Sequence, residues 1–326
     1  MLTFNIPDRD TLYQPVAGIM ARDLWEERYA ADIEAIIRLK KQHNAVILAH
    51  NYQTPEIFHC VADIRGDSLA LARAAQNIDA DIILMAGVHF MAETAKLLNA
   101  EKKVLIPDVA AGCSLAEGIT AENVRYLKQT YPGVPVVTYV NSTAAVKAES
   151  DICCTSGNAR KVVESLNVPR VIMIPDEFLA RNIQAETGIE MITWPAHCEV
   201  HERFTPQEIR QYRRMHPGVK VVAHPECPPE VVEAADYSGS TAQMIAYIAE
   251  ESPEKVLLVT ECSMSDNLAA QYPNTTFVRP CNLCPHMKRI TLPAIRKSLE
   301  NFEAEVVIPE ALHERARLSV ERMLLV

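Results

Sequence analysis

Residues 255–284 read KVLLVTECSMSDNLAAQYPNTTFVRPCNLC. An apolar, strand-like run breaks at a polar turn carrying Glu261, a short helical stretch follows, and a second strand ends at Cys284. Residues 170–198, RVIMIPDEFLARNIQAETGIEMITWPAHC, have the same order with Asp176 at the turn and Cys198 at the end. Residues 81–113, DIILMAGVHFMAETAKLLNAEKKVLIPDVAAGC, repeat it again and close on Cys113. The closing cysteines stand 85 and 86 residues apart, and a fixed period of this kind outranks any single motif.

The repeat extends upstream. Helix-start signals open at Ser68 in GDSLALARAAQ, Ser156 in CTSGNARKVVE and Thr241 in SGSTAQMIAYI. Before each comes a β-rich run that breaks at polar residues: AVILAHNYQ, VVTYVNST and KVVAHPECP. Each unit therefore reads strand, helix, strand, helix, strand, which predicts an α/β fold of three homologous three-layer αβα units with parallel sheets. The expected divisions are 1–113, 114–198 and 199–292, with segment 293–326 packing on the first unit. An apolar stripe at Tyr29, Ile33, Ile36 and Ile37 predicts one amphipathic helix over 18–43. The stretch 309–326 has the same look after its proline start.

Composition narrows the class. The chain has 326 residues, 48% hydrophobic and 23% charged, as an ordinary globular core requires. No apolar run approaches the roughly 18 residues a membrane span needs. The start MLTFNIPDRD lacks the basic-then-apolar order of a secretory signal, so a cytoplasmic protein is expected. A net charge of −10 without a Lys/Arg tract gives no nucleic-acid surface and no membrane-binding patch.

Ligands of parallel sheets sit beyond the carboxyl ends of the strands, where the three cysteines fall. If the units share an axis, three thiolates converge on one cavity, and either zinc or an iron–sulfur cluster fits such a set. Cys281 has metal-ligand spacing to Cys284, but Ala110 and Pro195 occupy its place in the other units, so Cys281 is read as a neighbour. Cys153 and Cys154 are read as packing residues, as are Cys60, Cys227 and Cys262, though Cys227 lies beside the HPE motif. His50 and His224 end the first strand of units one and three, where Tyr139 and Asn141 serve unit two. Imidazoles so placed bind anions or move protons, and Tyr52 and Glu226 are candidate proton-transfer groups. Ser68, Ser156 and Thr241 are read as helix caps, compatible with anion binding at the same N-termini. His197 and His201, in HCEVH, flank Cys198 as partners of a ligand.

With AHNYQ, GDSLALA, FMAETAKLL, PDVAAGCSLA, TYVNS, CTSGNA, HCEVH, HPEC, SGST and CPHMKRITL in order, the chain resembles the quinolinate synthase family over nearly its whole length. The resemblance implies pseudo-threefold symmetry of the three units around a central cavity. It implies a [4Fe–4S] cluster on Cys113, Cys198 and Cys284 with one iron left open as Lewis acid. Substrate contacts are implied at His50, Ser68, Tyr139, Asn141, Ser156, His224, Glu226 and Thr241. Tyr52, His224 and Glu226 are implied as proton movers. The implied reaction condenses iminosuccinate with dihydroxyacetone phosphate to quinolinate, phosphate and water in de novo NAD biosynthesis. Whether an L-aspartate oxidase hands over the unstable imine stays open. Some family members carry Cys-x-x-Cys-x-x-Cys around the last ligand; here the first of those positions is Val278. The rivals are a non-enzymatic iron–sulfur protein, a zinc hydrolase and a binding protein with packing cysteines.

Overall fold

Near-continuous apolar runs make the strands, as expected where both faces of a parallel sheet are covered. The computed structural model describes residues 6–326. Its first sheet contains β1 (Ala45–His50), β2 (Ile64–Gly66), β3 (Ile82–Ala86) and β4 (Lys103–Leu105), in the order β2-β1-β3-β4. The second contains β5 (Val136–Tyr139), β6 (Ile152–Cys154), β7 (Arg170–Ile174) and β8 (Glu190–Thr193), in the order β6-β5-β7-β8. The third contains β9 (Lys220–Ala223), β10 (Tyr237–Ser238), β11 (Lys255–Val259) and β12 (Thr276–Val278), in the order β10-β9-β11-β12. Neighbours run parallel, with β1 on β3, β5 on β7 and β9 on β11 at the centres.

One hydrogen-bonded device recurs in all three sheets and shows the repeat independently of the cysteines. Asp63 Oδ2 accepts the Ile47 amide at 2.8 Å while the Asp63 amide donates to the Ile47 carbonyl at 3.0 Å. Asp151 does the same with Val136 (2.7 and 3.0 Å), and Asp236 with Val221 (2.7 and 2.8 Å). Each aspartate pins the entry of an edge strand to the start of the central strand.

The structure departs from the sequence expectation at the edges of the elements. Each unit has a fourth strand, the short edge strand β2, β6 or β10. Two or three residues are too few to show alternation, and pairing with the central strand makes them extended. The expected helix over 18–43 is two helices, Arg22–Arg28 and Ala30–Gln42, parted at Tyr29, whose φ of −123° is not helical. Its apolar stripe still packs, with Ile33 and Ile36 fully buried.

Contacts divide the chain into two compact units. One comprises the described residues up to Ala111 with Glu261–Thr276 and Leu283–Val307; the other comprises Gly112–Thr260, Phe277–Asn282 and Ile308–Val326. Within the first, helix Leu292–Asn301 packs on helix Ala30–Gln42, with Arg296 3.2 Å from Asp32. Segment 293–326 was expected on the first αβα unit as a whole. Helix Glu310–Leu324 lies instead on β6 and helix Ala144–Ala148 of the second sheet. Its Ala316, Val320 and Met323 are fully buried there, and Ser319 Oγ sits 3.3 Å from Cys153 Sγ. A stripe states that a helix must pack, but not on what. Among the described residues no helix is long and apolar enough to cross a membrane.

Candidate functional site

In the second compact unit the candidate residues gather around Glu226, in the turn after β9. The Tyr139 phenol, at the end of β5, donates to Glu226 Oε1, and the Asn141 amide approaches the same oxygen at 3.4 Å. Glu226 Oε2 lies 2.6 Å from His201 Nδ1 and 3.8 Å from His224 Nδ1. The two imidazoles stack with centroids 4.6 Å apart. His201 Nδ1 is also 3.1 Å from Cys198 Sγ, and its Nε2 meets Thr260 Oγ1 at 2.9 Å. Ser156 hydrogen-bonds to Tyr139.

These contacts set the charges. Burial by itself would raise the Glu226 carboxyl, but His224, His201 and the hydrogen bonds from His201 and Tyr139 outweigh it and hold it well below the ordinary value. Burial and the Glu226 charge push the Tyr139 phenol well up, so it stays protonated. The same two causes raise Asp176, whose Oδ1 caps helix Glu177–Thr187 through the Phe178 and Leu179 amides at 2.9 and 3.0 Å. The site thus keeps one carboxylate ionised beside groups that hold their protons.

Cys113 and Cys198 belong to this unit too. The Ser114 hydroxyl donates to the His197 carbonyl and accepts the Glu199 amide, both at 3.1 Å, gripping the peptide on either side of Cys198. Burial, Glu226 and then Cys113 push the Cys198 thiol well up. A lone thiolate is disfavoured there, so ligation asks for a cationic group, and the thiol pair offers the soft donors that an iron–sulfur cluster or zinc takes. Sγ of Cys198, the His201 imidazole and a Glu226 oxygen also lie within 4.8 Å of one another, a set with the donor types for a single metal ion. His197 stacks on Phe178 at 4.1 Å and bonds Glu177 at 2.9 Å.

In the first compact unit a matching turn follows β1. The Tyr52 amide donates to His50 Nδ1 at 3.2 Å, as the Glu226 amide does to His224 Nδ1 at 3.3 Å in the other unit. The rings of His50 and Tyr52 meet edge-on at 4.6 Å, and both side chains are buried. Lys288 Nζ holds the Tyr52 carbonyl and the Ser263 hydroxyl, each at 2.7 Å, and Glu261 at 3.0 Å. Glu261 in turn accepts the Cys284 amide at 3.4 Å. The residues after Cys284 are thereby fastened to the β1 turn; Gln53 Nε2 also reaches Met287 Sδ at 3.4 Å.

The three expected helix caps are displaced. Asp67 caps helix Ser68–Ala75 through the Ala70 amide, and Ser240 caps helix Thr241–Glu251 in a capping box with Gln243. Ser68 and Thr241 are the first helical residues, and helix Ala159–Ser165 starts only after Asn158, leaving Ser156 in the preceding turn. Ser-x-x and Thr-x-x patterns do not separate the cap from its neighbour when an Asp or Ser precedes it. His201 carries more than the ligand-partner role read from HCEVH; Glu261, legible in the sequence only as a polar turn, and Lys288, which carries no signal of its own, are tied together by tertiary contact.

Comparison with known proteins agrees with this architecture. The family described as "Quinolinate synthetase A protein" matches residues 34–325. The chain is similar to "Quinolinate synthase 2" of Mesorhizobium japonicum, 65% identical over 320 residues that cover 98% of each chain. It is similar to "Quinolinate synthase" of Agrobacterium fabrum, 64% identical over 96% of this chain and 91% of the relative. A "Quinolinate synthase" of Xylella fastidiosa is 65% identical over 91% of this chain and 88% of the relative. With three parallel αβα sheets and a match of this extent, the chain belongs to the quinolinate synthetase A family.

Proposed function

We propose that the chain is a quinolinate synthase that condenses iminosuccinate with dihydroxyacetone phosphate, releasing quinolinate, phosphate and two waters, in the de novo NAD biosynthesis of the cytoplasm. Its three repeats, 1–113, 114–198 and 199–292, each contribute one cysteine, Cys113, Cys198 and Cys284, to a [4Fe–4S] cluster. The observation that carries the reading is the buried Glu226 carboxylate held by Tyr139, His201 and His224, a polar constellation that a pure electron carrier does not need. The names of the relatives support the same activity.

When bound, a cluster with three thiolate ligands supplies an iron with an open position as Lewis acid. The chain's own groups do the rest. Glu226, ionised across the neutral range, accepts a proton during carbon–carbon bond formation or dehydration, and His224 passes protons beside it. Tyr139 and Ser156 keep their protons and orient the carboxylate and substrate oxygens. Tyr52, next to His50, is the acid–base group of the first unit. Ser68 and Thr241 open helices whose positive N-termini suit carboxylate or phosphate, and Asn141 donates to a substrate oxygen. An L-aspartate oxidase is the proposed supplier of the imine.

Anaerobic purification with iron and sulfide analysis, followed by a quinolinate assay from the two substrates, tests the proposal. Iron and sulfide near four each, lost together with activity in Cys113→Ala, are expected for a [4Fe–4S] site. Full turnover without iron sinks it. The mixed sulfur, nitrogen and oxygen set at Cys198, His201 and Glu226 favours a mononuclear zinc reading as the alternative, which the same analysis separates.

A further inference from the structure

Two asparagines stand in the middle of helices, where their side chains compete with the backbone and a buried amide costs stability unless it is bonded. Asn182 lies in helix Glu177–Thr187 and Asn267 in helix Ser263–Gln271; both are buried. Each follows by six residues the acid at the preceding strand's exit, Asp176 after β7 and Glu261 after β11. The segments DEFLARN and ECSMSDN therefore occupy the same register of the repeat.

Their hydrogen bonds match as well. Asn182 Nδ2 donates to the carbonyls of Pro225 and Cys227, at 2.8 and 3.0 Å. Asn267 Nδ2 donates to the carbonyls of Asn51 and Gln53, at 3.1 and 2.8 Å. In each case one amide group bridges the carbonyls of the two residues on either side of a single residue: Glu226 in one compact unit and Tyr52 in the other. Those two residues hold equivalent places, two positions past the histidine whose Nδ1 receives their own amide. The corresponding position of the first repeat is Thr94, whose hydroxyl bonds back to Phe90 in its own helix at 2.8 Å, so the clamp is built twice.

We propose that Asn182 and Asn267 are a matched pair of positioning residues, each fixing through two hydrogen bonds the turn that carries a proton-transfer side chain, Glu226 or Tyr52. A clamp on both flanking carbonyls removes the peptide rotations that swing the intervening side chain. Small displacements of a reacting group carry large rate penalties. The proposal rests on the proton-transfer roles assigned to Glu226 and Tyr52 above.

Asn182→Leu and Asn267→Leu, nearly isosteric and without donors, test it in the iron-loaded enzyme. Hydrogen exchange followed by mass spectrometry reads the clamp directly, because the Cys227 and Gln53 amides are bonded within the two turns, to the His224 and His50 carbonyls. Exchange is expected to quicken about tenfold or more at 224–228 in Asn182→Leu and at 50–54 in Asn267→Leu, each without effect on the other turn. Turnover is expected to fall about thirtyfold with KM within about threefold and iron content unchanged, as for loss of two hydrogen bonds that act on orientation. Asn→Ala at either site, which admits a water, serves if a leucine variant does not fold, and is expected to show the same local exchange with a smaller drop in rate. Unchanged exchange in the clamped turn overturns the proposal, as does quickened exchange with unaltered kcat. A wild-type enzyme that makes no quinolinate instead overturns the functional reading, and the exchange result identifies that case because it needs no turnover.

Discussion

The Tyr139 hydroxyl donates to Oε1 of Glu226, joining the end of β5 to the turn after β9 through one buried hydrogen bond. Because the phenol keeps its proton and the carboxylate gives up its own, the bond is of the charged type, worth about 1.5–3 kcal/mol. Tyr139→Phe is expected to retain iron and fold while lowering kcat about 10- to 100-fold, the same energy expressed as a rate. Glu226→Gln is expected to slow turnover further and about equally across the neutral range, where the native carboxylate is ionised throughout. Unchanged turnover in Glu226→Gln takes the proton-acceptor role away from that residue.

Ser114 is the residue that links the two cysteines of the second compact unit. Its hydroxyl is bonded on both sides of Cys198 while its own backbone adjoins Cys113. Ser114→Ala removes two neutral hydrogen bonds, about 2 kcal/mol together. We expect faster loss of iron to a chelator and a lower midpoint of urea unfolding, with Ser114→Thr, which keeps a hydroxyl, lying closer to wild type. Identical iron-release rates in wild type and Ser114→Ala remove the linkage.

Much of this arrangement is legible in the sequence because the repeat fixes register. Once Cys113, Cys198 and Cys284 are aligned, His50, Tyr139 and His224 fall on strand ends, and Tyr52, Asn141 and Glu226 fall two residues later. The structure brings Tyr139, Asn141, Ser156, His224 and Glu226 together, and Cys198 with them through His201. What the sequence hides is set by tertiary contact. The short strands β2, β6 and β10 are extended because an aspartate and a neighbouring strand hold them. Asn182, Asn267 and Lys288 look like ordinary helix or loop residues until the carbonyls they bind are visible. The landing place of helix Glu310–Leu324 depends on the complementary surface of β6, about which its own pattern is silent.

The Glu261–Lys288 pair sets a third expectation. Glu261 is fully buried, and burial raises its carboxyl although Lys288 opposes this. Removing the cation leaves a buried acid and frees the Tyr52 carbonyl and the Ser263 hydroxyl from Lys288. Breaking a buried pair in this way costs about 3 kcal/mol. Lys288→Met should therefore unfold at distinctly lower urea, and the double variant Lys288→Met with Glu261→Met should recover part of the loss, since an apolar pair carries no stranded charge. Equal stability of Lys288→Met and wild type would falsify the pair as a structural tie.

His59 gives the pH dependence. Burial, then the Arg65 charge, push its imidazole down to about 4, against 6.5 for the free group, while the Asn267 backbone opposes the shift weakly. The folded protein therefore prefers neutral His59, and among the described residues its Nε2 has no hydrogen-bond partner. Above pH 6.5 both folded and unfolded chains hold the neutral ring and the group contributes no slope. As pH falls below 6.5 the unfolded chain takes up a proton that the folded chain refuses, and stability declines until the folded ring titrates near 4. Because the ring is partly exposed, solvent screens it and the loss between pH 7 and pH 5 is about 1 kcal/mol. Urea unfolding of wild type and His59→Gln across that range measures it. The variant, which has no titrating ring, is expected to show a curve flatter by that amount, and parallel curves would assign the acid sensitivity to other groups.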